Sequence, residues 1–193
     1  MCGIAGLIHR GKSSKVGEEL QSMLQALKHR GPDSTGYALY SKNDGQNFIM
    51  RFKVGENVGE GSTSVNEDVS VYNDRKKLVD KNLSELGATI VKEEKLTPYS
   101  YRYEIKYDKD LMDFSKKIES VEMVEILSIG KSLELIKDLG DAKTVCERYN
   151  LDKVQGTHGI GHARMATESG VDIKSAHPFW GYPFADVSVV HNG

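Results

Sequence analysis

The chain has 193 residues, enough for a domain with its own core and a small insertion. Charged residues make up 28% and nearly cancel, to a net charge of -2, which speaks against general binding to nucleic acid or to an anionic membrane surface. No stretch approaches the roughly 20 apolar residues of a membrane span, no basic leader with a long apolar core opens the chain, and two cysteines, Cys2 and Cys146, supply no disulfide framework, so a cytoplasmic protein is expected.

In chain order, CGIAGLI reads as a short strand and the residues after it as a polar turn. Val16, Leu20, Met23, Leu24 and Leu27 then recur at helical spacing. Lys28, His29 and Arg30 fall in the last turn, where the helix dipole favours cations, and Gly31 and Pro32 form a stop signal. TGYALYS and QNFIMRFKV follow as alternating strands, and Asn43-Asp44-Gly45 between them predicts a hairpin.

From about residue 55 to 150 the texture changes to a Lys- and Glu-rich one. Within it, YSYRYEIKY is a strand with Tyr99, Tyr101, Tyr103, Ile105 and Tyr107 on one face, and VEMVEILSI is another. KSLELIKDLG and AKTVCERYNL read as two short helices parted by Gly140-Asp141. An α+β insertion is expected over 55–150. The tyrosine row suits a strand half-buried in the insertion's own core; the alternative is an interface stripe.

GTHGIGHAR returns to strand: His158, Ile160, His162 and Arg164 share one face, while Gly159, Gly161 and Ala163 on the other admit a close neighbour. The alternating VSVVH runs straight into the last two residues, which leads us to expect a fragment, with an unpaired edge that favours oligomers.

Three places could carry chemistry. Removal of Met1 would leave Cys2 with a free α-amine; amine and thiol titrate near 7.7–8.0 and about 8.5, so one residue would hold nucleophile and base together. The simpler reading is a small apolar strand residue. Arg164 is a planar cation suited to a carboxylate, followed by the Thr167 hydroxyl; a surface ion pair is the plain alternative. Asn192 and Gly193 form either a turn or an oxyanion hole, with a side-chain amide and a backbone N–H aimed at one developing charge. A zinc site from Cys2, His158 and His162 is disfavoured, because HxxxH needs a helix and the glycines deny one.

Taken together, MCGIAG, LKHRGPDSTG, GHARMATES, AHPFW and VVHNG resemble the class II glutamine amidotransferases, a branch of the N-terminal-nucleophile hydrolases. The resemblance covers roughly residues 1–54 and 150–193. The wording RMATES followed by HPF is most similar to the amidotransferase subunit or domain of archaeal-type glutamate synthase and N-methylglutamate synthase. It implies an α+β fold, a four-layer αββα sandwich of antiparallel sheets, with residues 1–193 the N-terminal part of one domain, incomplete at its C-terminal side.

The resemblance further implies that Cys2 attacks the glutamine side-chain amide and that Asn192 and Gly193 stabilise the oxyanion. Arg164, with Thr167 nearby, would hold the substrate α-carboxylate. Arg30 and Gly31 would be architecture around the nucleophile. The ammonia would pass to a synthase domain or subunit, with no metal and no cofactor in this domain. Met165 and Glu168 depart from the commoner Trp and from the commoner His or Gly, and the acidic residue that the family places beyond HNG to bind the α-ammonium has no counterpart before the chain ends. The rival expectations are a non-catalytic scaffold or glutamine-sensing module, and a redox thiol at Cys2.

Overall fold

The computed structural model describes residues 2–31, 33–41, 45–56, 68–165 and 173–192. The fold is α+β, with antiparallel sheets and, among the described residues, four α-helices. The first sheet has the order β1-β8-β2-β7, from β1 (Gly3–Ile8), β8 (Gly156–Arg164), β2 (Ser34–Ser41) and β7 (Leu133–Leu139). The second has the order β4-β5-β3-β6, from β4 (Thr89–Lys95), β5 (Ser100–Lys106), β3 (Phe48–Lys53) and β6 (Glu125–Gly130). A short ribbon pairs β9 (Phe179–Trp180) with β10 (Ser188–Val189).

Helix α1 (Val16–Ala26) buries Val16, Leu20 and Leu24 against Tyr37, Leu39 and Ile136 of the first sheet, while Met23 stays exposed. Helix α4 (Ala142–Tyr149) joins the same cluster through Val145, Cys146 and Tyr149. Each wholly buried leucine of this kind contributes about 1.5–3 kcal/mol. The second sheet is covered by α2 (Val69–Leu86) and α3 (Leu111–Glu119), whose Val79, Leu83, Phe114 and Ile118 pack on Met50, Phe52, Tyr101, Tyr103 and Ile105. The tyrosine row is therefore core: Tyr99, Tyr101 and Tyr103 are buried against helices. Between the sheets lies a third cluster of Ala38, Leu127, Leu133 and Leu135, with Ile160 and Trp180 at its edge.

Three local expectations are corrected. TGYALYS and QNFIMRFKV do not form a hairpin: β2 is paired on both sides by β7 and β8, and β3 by β5 and β6, so the chain between them crosses from one sheet to the other. KSLELIKDLG is not a helix but β7, buried along its whole length. Its Glu134, Lys137 and Asp138 imitate the wet face of a helix by their spacing, yet each is buried and paired. Glu134 accepts from Arg51 Nε at 2.9 Å and Arg102 Nε at 2.8 Å, Lys137 Nζ lies 3.1 Å from Glu125, and Asp138 accepts from Arg148 at 2.6 Å and from the Tyr99 and Tyr149 hydroxyls. Lastly, VSVVH contributes only Ser188 and Val189 to a strand, and these pair with β9.

Helices α2 and α3 have local signals that the sequence reading passed over. Asp68 caps α2 by accepting from Ser70 N, and Gly87 ends it at φ 82; Asp110 caps α3 by accepting from Met112 N and Asp113 N. No helix among the described residues is long and apolar enough to cross a membrane.

Candidate active site

The site is built on the end of β8. The register of β1 on β8 pairs Gly3 with Ala163 and Ile4 with His162, so one further step sets Cys2 opposite Arg164. On the other side of β8, β2 pairs Ser34 with Arg164 and Gly36 with His162. Alternation then puts Cys2, His162, Arg164 and Gly36 on one face of the sheet. The opposite face carries Gly159 and Gly161, and the close neighbour they admit is helix α1: a Cβ on Gly161 would sit 2.5 Å from a Leu24 methyl.

The segment before β2 locks this end of β8. A Cβ on Gly31 would lie 2.5 Å from the carbonyl carbon of Arg164 and 2.6 Å from Ala163 O, and Asp33 N donates to Arg164 O at 3.2 Å. α1 itself ends at Ala26 and a single 3-10 turn, Lys28–Arg30, leads into Gly31. Gly31 has an extended φ of 176, so close packing rather than a left-handed stop demands glycine here. That fits the architectural part expected of HRGPDS.

Cys2 is half-buried with a free thiol, its Sγ 4.0 Å from Met165 O. The other cysteine, Cys146, lies on the buried face of α4 in the cluster shared with α1, and burial pushes its thiol up to about 11. It is the less reactive of the two.

Asn192 arrives from the far end of the chain. Its Nδ2 donates to the Cys2 carbonyl at 3.3 Å, and its Oδ1 lies 2.8 Å from Nε2 of His162. His162 is 2% exposed; burial lowers its pKa more than the Asn192 hydrogen bond raises it, and Arg164 lowers it further. The ring of His177 lies 5.1 Å from that of His162, and its Nδ1 accepts from His191 N at 3.3 Å. Burial, with the charges of its histidine, lysine and arginine neighbours, holds His177 down at about 4. Both rings are therefore neutral near pH 7. Gly36 is the seat for this segment, since a Cβ there would meet His177 O at 2.0 Å.

Of the residues expected from sequence, Cys2, Arg164 and Asn192 are brought together at one sheet end. Thr167 and Gly193 lie outside the described residues. His158, the third member of the disfavoured zinc set, stacks on Tyr40 with ring centroids 4.0 Å apart. His162 and His177 were missed as site residues. The available signal was strand alternation, which already placed His162 on the face of Arg164.

Residues 1–51 match the glutamine amidotransferase domain family. Over its whole length the chain is 36% identical to a protein of Methanothermobacter thermautotrophicus named "Putative glutamine amidotransferase". It is 30% identical to the glutamine amidotransferase-like protein GlxB of Rhizobium meliloti. The chain spans 61% and 58% of the length of these two relatives. A stretch of 90 residues, 46% of this chain and 15% of the relative, is 30% identical to a glutamine–fructose-6-phosphate aminotransferase of Methanococcus maripaludis. The chain is thus similar along its whole length to proteins named for glutamine amidotransferase, and its residues 1–51 match that domain family.

Proposed function

We propose that this chain is a class II glutamine amidotransferase domain that hydrolyses the side-chain amide of glutamine and supplies the ammonia to a synthase domain or subunit of the glutamate-synthase kind. The observation that carries the reading is the convergence of Cys2, Arg164 and Asn192, from opposite ends of the chain, on one sheet end. With Met1 removed, the Cys2 α-amine takes the thiol proton and the sulfur attacks the amide carbon. The Asn192 amide and the Gly193 N–H are the groups that stabilise the oxyanion. Collapse expels ammonia, protonated through the same amine, and leaves a γ-glutamyl thioester. Water then cleaves the thioester to glutamate and the free thiol. Arg164 holds the substrate α-carboxylate, with Thr167 as the second substrate-binding residue. The two helix-covered antiparallel sheets are read as an αββα sandwich of the N-terminal-nucleophile type, with 55–150 as the segment particular to this subgroup.

The test is an intact mass before and after exposure to a diazo-ketone analogue of glutamine, with the adduct mapped. Loss of Met1 and a single adduct on Cys2, competed by glutamine, is the expected result. Retained Met1 with no adduct would overturn the reading. Cys2→Ser should lower glutamine hydrolysis by on the order of 10³-fold or more.

A further inference from the structure

We propose that His162 is a positioning residue: it orients the Asn192 amide so that the NH2 group, and not the oxygen, faces Cys2. The inference rests on the reading of Asn192 as an oxyanion donor. The carbonyl of Cys2 can only accept a hydrogen bond, so the group 3.3 Å from it must be the Asn192 NH2. That places Oδ1 against His162, 2.8 Å from Nε2, and Oδ1 can only accept. Nε2 must then carry a proton. The other ring nitrogen, Nδ1, is buried and has no hydrogen-bond partner among the described residues, so none of them competes for the tautomer. In the neutral ring the single proton therefore sits on Nε2.

A side-chain amide can turn end over end about its last torsion. Turned over, Asn192 would present an acceptor to a developing negative charge. His162 fixes its sense, and it is itself fixed: it is 2% exposed, on a strand paired on both sides, and opposite Gly36, where the backbone of His177 closes over it. Since the oxyanion exists only along the reaction path, a donor misaimed by loss of His162 lowers kcat and leaves the KM for glutamine unchanged.

The experiment compares His162→Gln, which keeps an N–H donor at similar reach, with His162→Met, which keeps length and loses the donor. His162→Met should lose between about 10- and 100-fold in kcat with KM unchanged, and His162→Gln should recover most of it. In an Asn192→Ala background His162→Met should cost less than about twofold more. In parallel, the Asn192 side-chain NH2 resonances, followed by 15N NMR, should shift in the Met variant and hold in the Gln variant. Equal kcat for the two variants, or full additivity with Asn192→Ala, overturns the proposal. If the wild-type protein does not hydrolyse glutamine but the NH2 resonances behave as expected, the positioning stands and the functional reading fails. Resonances indifferent to His162 in that case overturn the positioning too.

Discussion

Arg164 ends β8, one residue beyond the pairing of Ala163 with Gly3, at the point where Gly31 and Asp33 pin the strand. A guanidinium in a fixed place grips both oxygens of a carboxylate, whereas an ammonium offers only a point charge. Arg164→Lys should therefore raise the KM for glutamine by about tenfold or more with a smaller change in kcat, measured by ammonia release. Asn192→Ala should do the reverse, lowering kcat by about 10²–10³-fold at near-constant KM. Cys2, Arg164 and Asn192 could be singled out from sequence because each lies in a short local motif; their meeting at one sheet end is what the fold adds. The hydrogen bond from His162 to Asn192 was not, since it joins residues 30 apart in the chain and depends on which ring nitrogen carries the proton.

Among the elements, β8 is the one that every part of the site leans on, and its glycines let α1 pack closely on it. At Gly161 a β-branched side chain would press on Leu24 and on Gly36 O at 3.1 Å. Gly161→Val should destabilise the protein by about 1–3 kcal/mol, and Leu24→Ala by about 2–5 kcal/mol, both read from denaturant midpoints. Gly31→Ala meets backbone rather than a movable side chain, so it should displace the Arg164 end of β8 and lower activity more than its effect on the midpoint suggests. Helix α1 was readable because its apolar period is local. The β2–β3 crossing and the strand nature of β7 were not. A turn signal such as Asn43-Asp44-Gly45 tells where the chain bends, not which strand it meets next. The charges of β7 find Arg51, Arg102 and Arg148 only after folding.

Across the whole molecule, acid should undo the fold in two stages. His177 is held at about 4 against an ordinary 6.5, so between those values the unfolded chain binds a proton that the folded chain refuses. Stability present above pH 6.5 is lost as the pH falls toward 4. Glu134 behaves in the opposite chemical sense but the same direction. Burial would raise it, yet Arg51 and Arg102 outweigh burial and hold it at about 2, below an ordinary 4.5. The stability it contributes is present above 4.5 and is lost as the pH approaches 2. Urea midpoints measured from pH 7 to 3 should fall throughout, and His177→Gln should flatten the upper part alone. Glu134→Gln removes the charge from between the buried Arg51 and the half-buried Arg102 guanidinium groups and should cost about 3–5 kcal/mol at pH 7. None of this was visible in a net charge of -2, which counts charges without saying which of them share a pocket.

Asp186 accepts hydrogen bonds from the backbone N–H groups of Lys131, Ser132 and Leu133, in the bend where β6 of one sheet becomes β7 of the other. That receptor does not exist until both sheets are in place. The stretch that carries His191 and Asn192 therefore finds its seat only after β6 and β7 have met. A nascent chain would show Cys2 early and the Asn192 amide late. On dilution from denaturant, the fluorescence of Trp180, which lies in this stretch and packs against both sheets, should return in the same slow step as glutamine hydrolysis, after far-ultraviolet ellipticity has already recovered.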